Sequence, residues 1–185
     1  IIPKDKKLIV FGAFKGNRFG DNSAAFFNYC NILKKNAYKY YWLSDNPKVV
    51  HSIKSKGWNA YLKKTIRGIW ITLRANLFIT SHGLEDVLFY SKKGNSPKEL
   101  YFHHGIPIRG AKTLKKGLND VALNNKRPKE ITYMVATSEW GGSQQRKNIP
   151  VEQSKVLVTG YPRNDLFYNT SEEECSLIKG HLGLN

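Results

Sequence analysis

The chain has 185 residues, 41% of them hydrophobic, which allows a sizeable core and excludes a disordered segment. Thirty Lys and Arg against 14 Asp and Glu give a net charge of +16, a field that recruits anions such as nucleic acid, lipid headgroups or phosphate-rich substrates. The two cysteines, Cys30 and Cys175, show neither CxxC nor His-x-x-Cys spacing, which argues against a disulfide framework or a zinc site and for a reducing cytosol. No apolar run approaches the roughly 18 residues of a membrane span. The opening residues lead straight into a strand instead of a signal peptide. Beginning without methionine, the chain reads as an excerpt of a longer protein.

In chain order, Lys7-Leu-Ile-Val-Phe-Gly12 is an apolar run closed by glycine and predicts a buried strand. Asp21-Asn-Ser23 offers N-cap side chains to a helix running to about Lys35, with Ala25, Phe26, Tyr29, Ile32 and Leu33 at helical spacing. Tyr38 to Leu43 predicts the next strand, a short helix follows Asn46-Pro47, and Trp58 to Leu62 is again extended. Lys63 to Ala75 places Ile66, Ile69, Trp70 and Leu73 on one helical face, with Lys63, Lys64, Arg67 and Arg74 elsewhere. That pattern suits packing on a sheet and, as an alternative, a membrane interface.

Asn76 to Thr80 and Lys98 to His103 are further strands, ending at Ser81-His-Gly83 and at His104. Arg109 to Lys129 predicts a basic loop with a short helix around Leu114 to Leu123. Thr132 to Ala136 is a strand, Ser138 caps a helix through about Lys147, and Ser154 to Val158 is a last strand before Gly160. This alternation predicts an α/β fold, a parallel sheet with helices on both faces. Ligands bind such sheets outside the carboxyl ends of the strands. Four polar clusters fall there: Phe19-Gly-Asp-Asn-Ser23, Thr80-Ser-His-Gly83, His103-His-Gly105 and Thr159-Gly-Tyr-Pro-Arg-Asn-Asp165.

Taken together and in this order, Phe19-Gly-Asp-Asn-Ser23, Ser81-His-Gly83, His104-Gly-Ile-Pro-Ile-Arg109 and Thr159-Gly-Tyr-Pro-Arg-Asn-Asp165 resemble the signature of the CDP-glycerol glycerophosphotransferases. These are the teichoic acid primases and polymerases and their capsule relatives. The resemblance covers residues 8 to about 168. It implies a GT-B architecture of two Rossmann-like lobes, of which residues 1–168 would be the first, acceptor-side lobe and 169–185 a linker or the start of the second. It implies transfer of glycerol phosphate, or ribitol phosphate, from CDP-glycerol or CDP-ribitol to a hydroxyl in teichoic acid or capsular polymer synthesis, with release of CMP and with no further cofactor.

The resemblance gives His104 the role of base on the acceptor hydroxyl. Histidine chemistry agrees, because imidazole takes up a proton near neutrality. Gly105 would let substrate approach the backbone, and Arg109 would pair bidentately with a phosphate. Asp21, Asn22, Ser23, Ser81, His82, Arg163 and Asp165 are the other candidate substrate-binding residues; no metal site is expected. Ile106, Arg109 and His103 depart from the family's usual threonine, lysine and aromatic residue. Strand alternation lets only one of the adjacent histidines reach the cleft, and the Gly-x-Pro register favours His104.

The expected partners are the CDP-alditol donor, a lipid-linked or polymeric anionic acceptor, the anionic inner face of the cell membrane, and the second lobe. Without that lobe, the 185 residues are expected to be inactive. The competing readings are a basic binding lobe for membrane or nucleic acid and a GT-B transferase using a nucleotide sugar. No nucleic-acid signature supports the former.

Overall fold

The computed structural model describes residues 2–33, 37–88, 97–105, 132–147, 149 and 151–184. Strands β1 (Leu8–Phe11), β2 (Lys39–Ser44), β3 (Ala60–Leu62), β4 (Leu77–Thr80), β5 (Lys98–Tyr101), β6 (Tyr133–Ala136) and β7 (Val156–Val158) form one sheet in the order β3-β2-β1-β4-β5-β6-β7. Every described pairing is parallel. The central strands β1 and β4 are short apolar runs because both faces of the sheet are covered there. Strand alternation sends Val10, Leu43 and Phe78 into one core and their neighbours Phe11, Trp42 and Ile79 into the other.

Helices α1 (Asp21–Ile32) and α2 (Pro47–Ser55) cover the Phe11 side, and α3 (Ile66–Arg74) covers the Val10 side. Three side-chain caps form, among them the expected one at Ser138. Asn46 accepts from the Lys48 amide at 3.0 Å, Thr65 from Gly68 at 3.2 Å and Ser138 from Gly141 at 3.0 Å, the last opening α4 (Glu139–Arg146). Helix α1 differs. Its N-cap is Gly20, with no side-chain cap, and Asp21 enters the helix at φ 61°.

The helix faces also differ from the pattern in the sequence. Helix α1 packs through Ala24, Phe27 and Cys30, while Tyr29 and Ile32 are exposed. Helix α3 packs through Gly68, Ile71 and Thr72, leaving Ile66 89% and Trp70 50% exposed. Each helix carries a second apolar stripe, and spacing alone does not tell which stripe meets the sheet. Lys63 precedes α3, and its side chain is only 3% exposed. It pairs with Asp45 at 2.8 Å and donates to the carbonyls of Lys15 and Glu85 at 2.9 and 3.0 Å.

After β7 come a 3₁₀ turn (Pro162–Asp165), the single turn α5 (Leu166–Asn169) and α6 (Glu172–Leu182), the last begun by a Ser171–Glu174 capping box. Thus 169–185, expected as a linker or the start of a second lobe, contains an exposed helix. The helix expected around Leu114 to Leu123 lies outside the described residues.

Gly68 sits where α3 crosses the end of β3, and a Cβ there would overlap the Leu62 carbonyl. Gly68→Ala is therefore expected to lower stability by about 1–3 kcal/mol, read as a lower urea midpoint at unchanged slope.

Candidate functional site

Strand order reverses between β1 and β4, and the loops leaving these strands open a crevice at the carboxyl edge. All four polar clusters meet there. Asp86, in a 3₁₀ turn (Leu84–Asp86) after β4, is fully buried, and its carboxylate accepts the amides of Lys15 at 2.7 Å, Ser81 at 2.9 Å and His82 at 2.8 Å. Burial pushes its carboxyl above the usual carboxylate range, and the His82, Lys15 and Ser81 amides oppose that shift.

On the other side, Arg163 reaches back across the chain. Its guanidinium donates to Asp21 Oδ1 at 2.8 Å and to the His104 carbonyl at 3.0 Å. Asn22 completes the tie, donating to the His103 carbonyl at 2.9 Å and accepting the Arg163 amide at 3.3 Å. Ser23 and Ser81 bridge α1 to β4 through their hydroxyls, 2.8 Å apart. Asn22, Ser23 and Ser81, expected to bind substrate, have no exposed surface in this arrangement and hold the loops together. Asp21, His82, His104, Arg163 and Asp165 line a cleft of about 1090 Å³. The cleft continues over an apolar stretch formed by Phe26, Tyr29, Ile32, Leu157 and Leu166. Gly105, at φ 157°, has open space where a Cβ would point; Arg109 lies outside the described residues.

The adjacent histidines do not alternate. β5 ends at Tyr101, and His103 turns at φ 57°, so both rings lie on one side, stacked 4.6 Å apart and within 8° of parallel. On the other face of His104 lies His82, 4.8 Å away and within 10° of parallel. The hydrogen bonds distinguish the three rings. His82 Nδ1 accepts the Phe14 amide at 3.1 Å, and His103 Nδ1 accepts the Gly105 amide at 3.2 Å. His104 Nδ1 instead faces the Ser81 carbonyl at 3.4 Å, where only a donor is accommodated. A neutral His104 therefore carries its proton on Nδ1 and presents the Nε2 lone pair.

Asp86 escaped the reading of the sequence. The signal was present, an acidic residue a few positions past Ser81-His-Gly83, but spacing does not reveal that its carboxylate turns back under the loop. Among the described residues, no group of three or more His, Cys, Asp or Glu is arranged to hold a metal ion.

The parallel sheet, with its polar loops converging at the switch point, is a Rossmann-like α/β fold of the kind found in GT-B transferases. The family described as CDP-Glycerol:Poly(glycerophosphate) glycerophosphotransferase matches residues 1–185, and the chain belongs to it.

Curated relatives include teichoic acid poly(glycerol phosphate) polymerases of Bacillus subtilis, 24% identical over 99% of this chain and 25% of the relative, and of Bacillus spizizenii, 23% identical over 100% and 48%. The chain thus spans a quarter to about half the length of these relatives. The solved structure of the wall teichoic acid polymerase TagF shares the fold, with a TM-score of 0.69 at 19% identity over 98% of this chain and 45% of that one. A TagF variant soaked with CDPG matches equally, with a TM-score of 0.69 at 18% identity over 98% and 47%.

Burial lowers the His82 pKa from its ordinary value, with His104 and Lys15 adding to the shift while Asp86 and Asp21 pull against it. The unfolded chain then binds more protons than the folded one as pH falls through about 6.5, so this contribution to stability is present above that pH and lost below it. Urea midpoints measured between pH 7.5 and 5.5 are expected to fall less steeply in His82→Phe than in the unsubstituted protein.

Proposed function

We propose that the protein carrying this chain transfers an alditol phosphate, glycerol phosphate or ribitol phosphate, from a CDP-alditol to an acceptor hydroxyl in teichoic acid or capsular polymer synthesis. The observation that carries the proposal is His104 lining a cleft with Arg163, its Nδ1 3.4 Å from the Ser81 carbonyl and its ring stacked on those of His82 and His103. In the step, His104 Nε2 takes the acceptor proton as the acceptor oxygen bonds to the phosphorus that bears the alditol. The bridging P–O bond breaks, and CMP leaves with the bridging oxygen. Phosphoryl transfer asks the protein mainly for positioning and charge stabilisation, which suits a chain of net charge +16.

Residues of the site divide the remaining work. Arg163, held by Asp21 and the His104 carbonyl, keeps a positive charge at the cleft, and Asp165 lies on its rim. Arg109 adds a bidentate phosphate contact. Asn22, Ser23 and Ser81 act from behind, by fixing the loops. Gly105 leaves room for the acceptor beside its backbone, and no cofactor is required beyond the donor.

The second GT-B lobe supplies most of the CDP site, so the 185 residues alone bind an acceptor without turning over. Apolar side chains of α5 and α6, such as Phe167 at 86% exposure, support a further covering body. Attachment at the inner membrane face fits Ile66 and Trp70, which stand exposed beside Arg67, while Arg74 stacks on Trp70.

In the full-length protein, His104→Ala is expected to reduce CMP release from CDP-glycerol by about 10²–10⁴-fold. An unchanged rate removes His104 from the mechanism. The isolated 185-residue chain is expected to release no CMP in the same assay, and measurable turnover contradicts the two-lobe reading.

A further inference from the structure

We propose that His82 is a positioning residue for His104: its ring braces one face of the base and stabilises the imidazolium formed there when the acceptor proton is taken. The inference rests on the assignment of His104 as base. Its observation is a column of four rings at the carboxyl edge of the sheet. Phe14 lies 4.5 Å from His82, His82 lies 4.8 Å from His104, and His104 lies 4.6 Å from His103. The two contacts of His104 are within 10° of parallel.

His82 is held at several points in this column. Its amide is bound by buried Asp86 at 2.8 Å, its Nδ1 accepts the Phe14 amide at 3.1 Å, and its outer face rests on Phe14. The remaining nitrogen, Nε2, carries the proton of the neutral ring and stands 3.8 Å from Asp21 Oδ2. Asp21 is itself fixed by Arg163.

Two consequences follow for His104. Its plane is set by a neighbour that cannot swing, so Nε2 keeps one direction into the cleft. When Nε2 gains a proton, the resulting cation meets the π face of His82, a favourable arrangement in a partly desolvated site. His82 does not compete for that proton, because its Nδ1 lone pair is already engaged by the Phe14 amide. Burial disfavours its charged form as well. A ring that cannot be protonated therefore serves the brace nearly as well as histidine, and this separates the proposal from a direct chemical role.

The test uses the full-length protein, with kcat and KM measured for CMP release from CDP-glycerol. His82→Ala removes the brace and is expected to lower kcat about 10- to 30-fold, with KM for the donor changed less than about threefold. His82→Phe keeps the ring without its nitrogens and is expected to recover kcat to within about threefold of the original. If His82→Phe folds but is as slow as His82→Ala, the nitrogens matter and the proposal is overturned. A normal kcat in His82→Ala, or a loss confined to KM, overturns it too. Should His82→Ala fail to fold, His82→Leu, which fills the volume without a π face, takes its place in the comparison with His82→Phe. His104→Ala measured alongside separates the two readings. Activity retained there removes the base assignment, whereas an inactive His104→Ala with an unaffected His82→Ala removes only the brace.

Discussion

The carboxylate of Asp86 draws three backbone amides, those of Lys15, Ser81 and His82, to one buried point. The loops after β1 and β4 must leave their strands at the switch point and still present side chains upward, so their own amides lack ladder partners. A buried acceptor resolves that shortage, since an unpaired buried N–H costs about 1–3 kcal/mol. Lys63 is its counterpart of opposite sign. Paired with Asp45, its ammonium collects the carbonyls of Lys15 and Glu85 from the same two loops. One anion gathers donors and one cation gathers acceptors, and between them the crevice has rigid walls.

Across the crevice the frame is completed at a conformational cost. Asp21 and His103 both sit at positive φ, 61° and 57°, a region non-glycine residues enter at roughly 1–3 kcal/mol when it is enforced. Arg163 and Asn22 hold them there, joining the start of α1, the end of β5 and the turn after β7. The turn at His103 brings both histidine rings to one side of the sheet edge, and the stack with His82 follows from it. Strain in two residues thus becomes orientation in a third, His104. Its ring is stacked and its Nδ1 faces the Ser81 carbonyl, which leaves Nε2 without a partner among the described contacts.

Much of the frame was legible in the chain. The seven strands, the proline and asparagine that start α2, and the cap at Ser138 follow from local rules about burial, φ and side-chain acceptors. The meeting of the four polar clusters was legible as well, because in a parallel sheet all carboxyl ends share one edge. What misled was periodicity in helices with two apolar stripes. The spacing of Phe26, Tyr29 and Ile32 on α1, and of Ile66 and Trp70 on α3, marks the exposed or cleft-lining face; Ala24, Phe27, Gly68 and Ile71 meet the sheet. Small residues such as Ala24 and Gly68 permit close approach, and hydrophobicity counts undervalue them.

The sequence by itself determined that this is a parallel α/β fold with a histidine-bearing edge, since the alternation of strands and helices, turn residues and motif order are legible along the chain. Only the tertiary structure decided what each polar residue does there. Asn22, Ser23 and Ser81 are spent on the frame, Lys63 is buried instead of facing a membrane, and Asp86 is the hub, a role its spacing in the sequence does not reveal. The reason is physical. Whether a polar side chain is spent inside the protein or left for a ligand depends on partners as far as 142 positions away in the chain, and those distances close only when the sheet has formed.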